Sequence, residues 1–114
     1  MKQPLQIRFV GMEPSEAVET AAREKAGKLD HFFPDIMSCR VAIEVTHKHQ
    51  RQGRPFAVRI DLTLPGRELS VSRVHDEDVY VALRDAFDDM KRQLEDAVRR
   101  KRGQEKAHVA APRG

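Results

Sequence analysis

Residues 76–103 read DEDVYVALRDAFDDMKRQLEDAVRRKRG, and this stretch decides the fold. Its apolar residues recur at steps of three and four, the spacing that places side chains on one face of an α-helix. This apolar stripe comprises Tyr80, Leu83, Phe87, Met90, Leu94 and Val98. Acidic residues at 76–78 suit the beginning of a helix, and four basic residues before Gly103 suit its end. The sequence therefore predicts one long amphipathic helix that packs on a flat apolar surface.

The charges of this helix are separated along its length. Residues 76–90 contain six Asp and Glu and one Arg, whereas residues 91–114 contain eight Lys and Arg and three Asp and Glu. An acidic residue precedes a basic residue by four positions at 88 and 92, at 95 and 99, and at 96 and 100, and this spacing predicts ion pairs. One interpretation is therefore that these charges only keep the outer face of the helix solvated. Lys91, Lys101 and Arg102 have no such partner. The flank and tip of the helix are therefore the candidate anion-binding surface, and a helix of roughly 27 residues, about 40 Å long, should overhang the body with its basic end.

Length and composition limit the class of protein. The length of 114 residues predicts one domain. The sequence is polar, with 39% hydrophobic and 34% charged residues, but its apolar residues are periodic, so we expect it to fold around a thin core. The absence of a long apolar run and of a signal peptide predicts a cytoplasmic protein without membrane contact. The single cysteine, Cys39, cannot form an internal disulfide, and its place in an alternating pattern indicates a small core residue.

Alternating apolar residues predict four strands, at 5–10, 37–45, 56–64 and around 69–71. A helix begins at Pro14 and Ser15 and ends before Pro34, with an apolar stripe of Val18, Ala22, Ala26, Leu29 and Phe33. The order βαβββα predicts an α+β fold in which a four-stranded mixed sheet carries both helices on one face, similar in architecture to the double-stranded RNA-binding domain. The first two strands should be parallel, the others antiparallel. We expect residues 1–103 to form this domain and residues 104–114 to form a short disordered tail.

Lys25 and Lys28 lie on one edge of the first helix, while Glu19 and Asp30 lie on the other. The stem of Lys25 should run along the apolar surface and leave its ammonium group in water. The first helix therefore has a basic edge, which adds to the basic flank and tip of the second helix.

Motifs of catalysis and cofactor binding are absent from the sequence. His47 and His49 could bind a metal, but no further ligand is evident nearby. His75 and Asp76 suggest part of a triad, yet no nucleophile elbow or oxyanion loop accompanies Ser70 and Ser72. We predict no enzyme activity, no cofactor and no small-molecule substrate. The loop between the second and third strands is better interpreted as a basic surface that makes secondary RNA contacts, through His47, Lys48, His49, Arg51 and Arg54.

Basic residues on both helices, in the loop and at the helix tip are typical of a protein that binds a phosphate backbone. All five Phe and Tyr80 fit apolar stripes or strand faces, which argues against a surface that stacks single-stranded bases. The sequence therefore favours recognition of folded RNA by shape. A generic structured-RNA-binding module is one alternative. A protein-interaction module that modulates a transcription factor is the other, since a basic helical face also fits an acidic protein.

Four stretches of the sequence resemble a known protein family. The run REKAGKLDHFF at 23–33 and the following Cys39-Arg40-Val41 are similar to the first helix and second strand of that family. The run DVYVAL at 78–83 is similar to the Asp-x-Tyr-x-Ala-Ile opening of its closing helix, and Arg92-Gln93-Leu94 to its Arg-Gln-Leu at the same separation. The family is that of the ribosome hibernation-promoting factors, also called ribosome-associated translation inhibitors, and the resemblance covers residues 5–103 and includes the order of elements.

The resemblance implies a non-enzymatic protein that docks on the small ribosomal subunit, in the channel of messenger and transfer RNA, and silences translation during stress or in stationary phase. The family's ribosomal RNA contacts fall on Arg23, Lys25, Lys28, Lys91 and Arg92. The charge pattern extends this set to Arg99, Arg100, Lys101 and Arg102. Asp89 departs from the family, in which many members have Lys at this position. Because the sequence stops after a short tail, we expect it to lack the C-terminal dimerisation domain of the long forms and to be a monomer off the ribosome.

Overall fold

The computed structural model describes residues 1–45, 56–75 and 78–110, of which residues 75 and 104–110 are described by their backbone alone. Its elements follow the predicted order βαβββα. They are β1 (Gln6–Val10), α1 (Glu16–Phe32), β2 (Ser38–Val45), β3 (Phe56–Leu64), β4 (Arg67–His75) and α2 (Val79–Ala110). The predicted α+β fold is confirmed.

The four strands form one sheet in the order β1-β2-β3-β4. β1 is parallel to β2, with Ile7 opposite Val41, and the remaining neighbours are antiparallel, with Val41 opposite Ile60 and Ile60 opposite Val71. The turn between β3 and β4 places Gly66 at φ 72°, the conformation that a type II turn requires after Pro65. The mixed sheet is therefore the predicted parallel pair followed by an antiparallel meander.

Both helices pack on one face of the sheet. α1 contributes Val18, Ala22, Ala26 and Leu29 to a single buried cluster, and α2 contributes Ala82, Leu83, Ala86, Phe87, Met90 and Leu94. The same cluster contains the inward-facing residues Val41, Ile43, Val58, Ile60, Leu62, Leu69 and Val71. Alanines let α2 approach the sheet closely, and small residues of α1 complete the core together with β-branched and leucine side chains.

Local sequence signals fix the ends of the helices. The hydroxyl of Ser15 accepts a hydrogen bond from the backbone N–H of Val18 at 3.3 Å, which begins α1. The N–H of Phe33 donates to the carbonyl of Leu29 at 2.8 Å, and Pro34 prevents continuation of the helix. At the beginning of α2, the Asp78 carboxylate accepts hydrogen bonds from Tyr80 N–H at 2.9 Å and Val81 N–H at 3.4 Å.

Three details of the predicted elements are wrong. Tyr80 was placed on the buried stripe of α2, but its side chain is 47% exposed. Met37 precedes β2 and is exposed, because the strand begins at Ser38. Gly103 does not end α2, which continues to Ala110. Residues 111–114 lie outside the described residues.

The end of α2 overhangs the body of the domain, as predicted. Ala97 is the last buried residue on the described side chains of α2, and residues 99–103 are exposed. A helix of 32 residues spans about 48 Å, and the molecule is 63 Å in its longest dimension and 28 Å in the next. The C-terminal turns of α2 therefore carry their charges beyond the sheet.

Cys39 is a core residue, as predicted, and this has a chemical consequence. Its side chain is 1% exposed, and burial raises the pKa of the thiol from 9.0 to about 11. Because the thiolate is the nucleophile, we expect native Cys39 to react with a disulfide reagent at pH 8 at least about 100-fold more slowly than the unfolded chain. Labelling in the presence and absence of urea measures this ratio, and equal rates would contradict the burial.

The same raised pKa predicts a pH dependence of stability. The unfolded chain loses the Cys39 proton near pH 9.0 while the folded protein keeps it to about 11, so the unfolded state binds fewer protons in this window. The contribution of the thiol to the free energy of unfolding is complete below about pH 9 and is lost as the pH rises towards about 11. Urea denaturation of the parent protein should show a fall in the free energy of unfolding between these pH values. Cys39→Ala should not show this fall.

Candidate nucleic-acid interface

One edge of α1 carries two lysines and an aromatic ring. Lys25, Lys28 and Phe32 follow one another at steps of three and four, so they lie on the same side of the helix, next to the buried stripe. Lys25 is half-buried and Lys28 is exposed. Neither lysine has an ion pair with any residue in the described part of the chain. The predicted basic edge of α1 is therefore present, and its cations are available to an external anion.

Arg23 lies apart from this edge. Its guanidinium donates two hydrogen bonds to the Glu19 carboxylate, at 3.0 and 3.1 Å. On the same side of α1, the Asp30 carboxylate contacts the amino group of Met1. This side of the helix therefore carries compensated charges, and the structure does not bring Arg23 together with the two lysines.

Lys91 of α2 reaches the C-terminal end of α1. Its ammonium lies 5.8 Å from the centroid of the Phe32 ring, within the range of a cation–π interaction. His31 contacts the edge of the same ring, with the two centroids 5.3 Å apart. Since Phe32 continues the edge of Lys25 and Lys28, this contact places Lys91 beside the basic edge of α1. We call Lys25, Lys28 and Lys91 the lysine band.

Phe32 itself is a residue that the sequence interpretation missed. The ring was assigned to a buried stripe, yet it is 64% exposed. The available signal was its spacing from Lys25 and Lys28, which puts it with the lysines and away from Leu29 and Ala22. Phe32 and Tyr80 are both exposed. The prediction that all aromatic side chains are buried, and that none is presented to RNA, is therefore wrong.

Asp89 restrains Arg92, the second basic residue predicted on the flank of α2. The Arg92 guanidinium donates to the Asp89 carboxylate at 2.6 Å, and the other oxygen of this carboxylate lies 3.0 Å from the Arg73 guanidinium. The pair predicted between Asp88 and Arg92 is therefore replaced by a pair three residues apart. Asp89 therefore lowers the positive charge on this part of α2 and bridges α2 to β4.

Only part of the positive charge at the tip of α2 is paired with acidic side chains of the described residues. Arg99 contacts Asp96 at 3.1 Å, so the pairs predicted for Glu95 with Arg99 and for Asp96 with Arg100 are both wrong. No residue of the described chain forms an ion pair with Arg100, Lys101 or Arg102. These three residues line a cleft of about 720 Å³ under the overhanging helix, together with Phe32, Phe33 and the β3–β4 turn.

The open face of the sheet is close to neutral. Its basic residues Arg8, Arg40 and Arg59 face the same solvent as Glu44, Asp61 and Glu68. Arg40 lies 3.6 Å from Glu68, and Arg59 donates to Asp61 at 3.0 Å. The hydrogen bond from Arg59 lowers the pKa of the Asp61 carboxyl, and Ser70 donates to the same carboxylate. Among the described residues, Arg8 is the one basic side chain of this face without an ion pair, whereas the lysine band and Arg100, Lys101 and Arg102 on the helical side have none.

Several predicted site residues lie outside the described residues. They are the loop residues His47, Lys48, His49, Arg51 and Arg54, and also Asp76. Within the described ranges, no group of three or more His, Cys, Asp and Glu is placed to hold a metal ion. No described helix combines the length and apolar character that a membrane-spanning segment requires.

The helical side thus presents ammonium groups, guanidinium groups and exposed aromatic rings on two packed helices. Lysine ammonium groups that lack acidic partners attract phosphate without demanding a particular base. Residues 5–102 match the family described as Sigma 54 modulation protein / S30EA ribosomal protein, a family of ribosome-associated proteins. The chain belongs to this family, and the resemblance to the hibernation-promoting factors is confirmed.

Solved structures with the same fold support the architecture. A ribosomal subunit interface protein from Coxiella burnetii superposes with a TM-score of 0.70 at 16% identity, over 82% of this chain and 94% of that one. The N-terminal domain of Protein Y from Thermus thermophilus superposes with a TM-score of 0.62 at 22% identity, over 78% of this chain and 94% of that one. A comparison with curated proteins gave no match. At these identities the two structures establish the fold alone.

Proposed function

We propose that this protein binds the small ribosomal subunit in the channel of messenger and transfer RNA and silences translation during stress or in stationary phase. The observation that carries the proposal is the lysine band, Lys25, Lys28 and Lys91, on the helical face of a chain that belongs to a ribosomal protein family. The protein acts in the cytoplasm by occupying its site, without catalysis, cofactor or small-molecule substrate.

The charge distribution supports binding through the helices. Cations without acidic partners release counterions when they meet phosphates, and this release favours association with RNA. Among the described residues, no acid pairs with the lysine band or with the tip residues Arg100, Lys101 and Arg102, whereas Arg40 and Arg59 of the open sheet face are paired with acids. Arg23, Arg92 and Arg99 join the interface only by exchanging an intramolecular carboxylate for a phosphate.

Sedimentation of a stationary-phase extract tests the proposal. We expect the protein to migrate with small subunits and intact ribosomes at low salt and to remain near the top of the gradient at high salt. Purified small and large subunits, incubated separately with the protein, show which subunit it binds. A protein that stays near the top at low salt with both subunits does not bind ribosomes.

A second candidate function follows from the family description, which includes modulation of sigma 54. The lysine band fits an acidic protein surface as well as a phosphate backbone. This function predicts co-purification with the transcription factor from extract cleared of ribosomes, and loss of that association when Lys28 and Lys91 are changed to Glu. Association with ribosomes alone favours the first proposal.

Asp89→Asn should strengthen ribosome binding, because the substitution releases the Arg92 guanidinium from the 2.6 Å contact. One added phosphate contact steepens the slope of log affinity against log salt by about 0.7–0.9. The loss of the pair with Arg73 costs at most about 1 kcal/mol of stability, since such partly exposed pairs contribute little. Affinity for small subunits at several salt concentrations measures the change.

Asp88→Asn is the matched control for this prediction. It removes the same charge from the adjacent position of α2, and Asp88 forms no ion pair with any described residue. We expect its salt slope to remain that of the parent. Equal slopes for Asp88→Asn and Asp89→Asn would show that the overall charge of α2, and not the release of Arg92, determines affinity.

A further inference from the structure

Phe32 is the exposed aromatic side chain that lies within the basic surface. It is 64% exposed at the last residue of α1, with the Lys91 ammonium 5.8 Å from its centroid and His31 at its edge. Fully burying a Phe side chain contributes about 1.5–3 kcal/mol, so covering this ring with an apolar face would stabilise a complex. Tyr80, the other exposed ring, lies eleven residues before Lys91 in sequence, about 16 Å away along α2.

The ring borders the cleft under the overhang of α2. The cleft has a volume of about 720 Å³, within the range of about 300–1,000 Å³ typical of sites that hold small organic groups. Apolar side chains of Phe33, Leu64 and Leu94 line it. Its charged lining is one acid, Asp35, and four basic residues, Arg67, Arg100, Lys101 and Arg102. An apolar wall beside guanidinium groups matches the two parts of a nucleotide, which are a flat base and a phosphate.

The position of the cleft favours RNA as the occupant. Phe32 continues the α1 edge that carries Lys25 and Lys28, so a backbone that follows these lysines arrives at the ring. Unpaired bases of folded RNA stack on aromatic side chains, and a stacked base tolerates any sequence. We propose that Phe32 and this cleft hold one unpaired base of the ribosomal RNA, with its flanking phosphates at Lys91 and at Arg100 or Arg102. This inference rests on the proposed function and names the feature of the RNA that the site takes.

Phe32→Ala tests the inference in binding to purified small subunits. Stacking contributes free energy without releasing counterions, so we expect affinity to fall about tenfold or more while the salt slope stays that of the parent. Phe32→Trp should keep or improve affinity, because it keeps a stacking face. Val74→Ala is the matched control, since Val74 is also an apolar side chain with 62% exposure and lies on the open sheet face.

The outcomes separate this inference from the proposed function. Parent-like affinity of Phe32→Ala, with the parent bound to small subunits, overturns the base site and leaves the proposed function standing. A shallower salt slope in Phe32→Ala also overturns it, because the ring would then act only by positioning Lys91. Failure of the parent to bind removes the proposed function and this inference together.

Photo-crosslinking identifies the occupant. p-Benzoylphenylalanine replaces Phe32, the complex with small subunits is irradiated, and the product is digested with ribonuclease and protease. We expect a peptide with residue 32 joined to a nucleotide. A crosslink to a ribosomal protein instead would assign the cleft to a peptide and contradict the base site, as would the absence of any crosslink from a bound protein.

Discussion

Phe87→Ala lowers the free energy of unfolding by about 3–5 kcal/mol, the usual cost of emptying a large aromatic site in a core. The ring is 5% exposed and belongs to the cluster that joins α2 to the sheet and to α1. Alanine at this position leaves a cavity between two layers that the remaining side chains cannot close. Urea denaturation monitored by circular dichroism measures the loss.

Tyr80→Ala provides the control within the same helix. Both residues occupy the apolar stripe that the sequence predicts, but Tyr80 is exposed in the structure. Truncation of an exposed side chain usually changes stability by less than about 0.5 kcal/mol. A Phe87→Ala effect below about 1 kcal/mol, or an equal effect at the two positions, would contradict the packing of α2 described above.

Reversal of Lys25, Lys28, Lys91 and Arg92 to Glu abolishes ribosome binding at physiological salt and leaves the fold intact. The four side chains lie outside the buried cluster, so thermal unfolding should stay close to that of the parent. Removal of the three phosphate contacts of the lysine band makes the slope of log affinity against log salt shallower by about 2–3. Inhibition of cell-free translation should be lost in parallel.

A matched pair of double variants separates position from total charge. Lys28→Glu with Lys91→Glu changes the lysine band, and Lys2→Glu with Arg8→Glu makes the same change of charge near β1. We expect the first pair to lower affinity strongly and the second to change it little. Equal losses would indicate that the net charge of the protein governs binding, and a greater loss in the second pair would place the interface on the β1 side or the open face.

The order and pairing of the elements follow from the sequence because each strand and helix has one apolar face. Ser15, Pro34 and Pro65-Gly66 mark boundaries through local chemistry, and the structure keeps each of them. Tyr80 was misplaced because periodicity assigns a residue to a face and does not show where the sheet below the helix ends. Gly103 was taken for a helix end, although a glycine inside an exposed helix costs only about 1 kcal/mol.

The sequence predicts which lysines belong to the candidate site, but it does not predict which ion pairs the neighbouring arginines form. Spacing alone places Lys25 and Lys28 on one edge of α1, and it leaves Lys91 without a partner on α2. It does not choose between carboxylates three and four residues away, so the contact of Arg92 with Asp89 depends on side-chain conformation and on Arg73 from β4. The contact between Lys91 and Phe32 depends on how the two helices pack against each other. The periodicity within one helix carries no information on this packing.

A cryo-EM reconstruction of the small subunit with the bound protein shows directly which face of the protein meets the ribosomal RNA. We expect density in the channel of messenger and transfer RNA, with Lys25, Lys28 and Lys91 towards the ribosomal RNA and the open sheet face turned away from it. Density with Arg8, Arg40 and Arg59 against the RNA, or a bound position outside this channel, would contradict the proposed mode of binding.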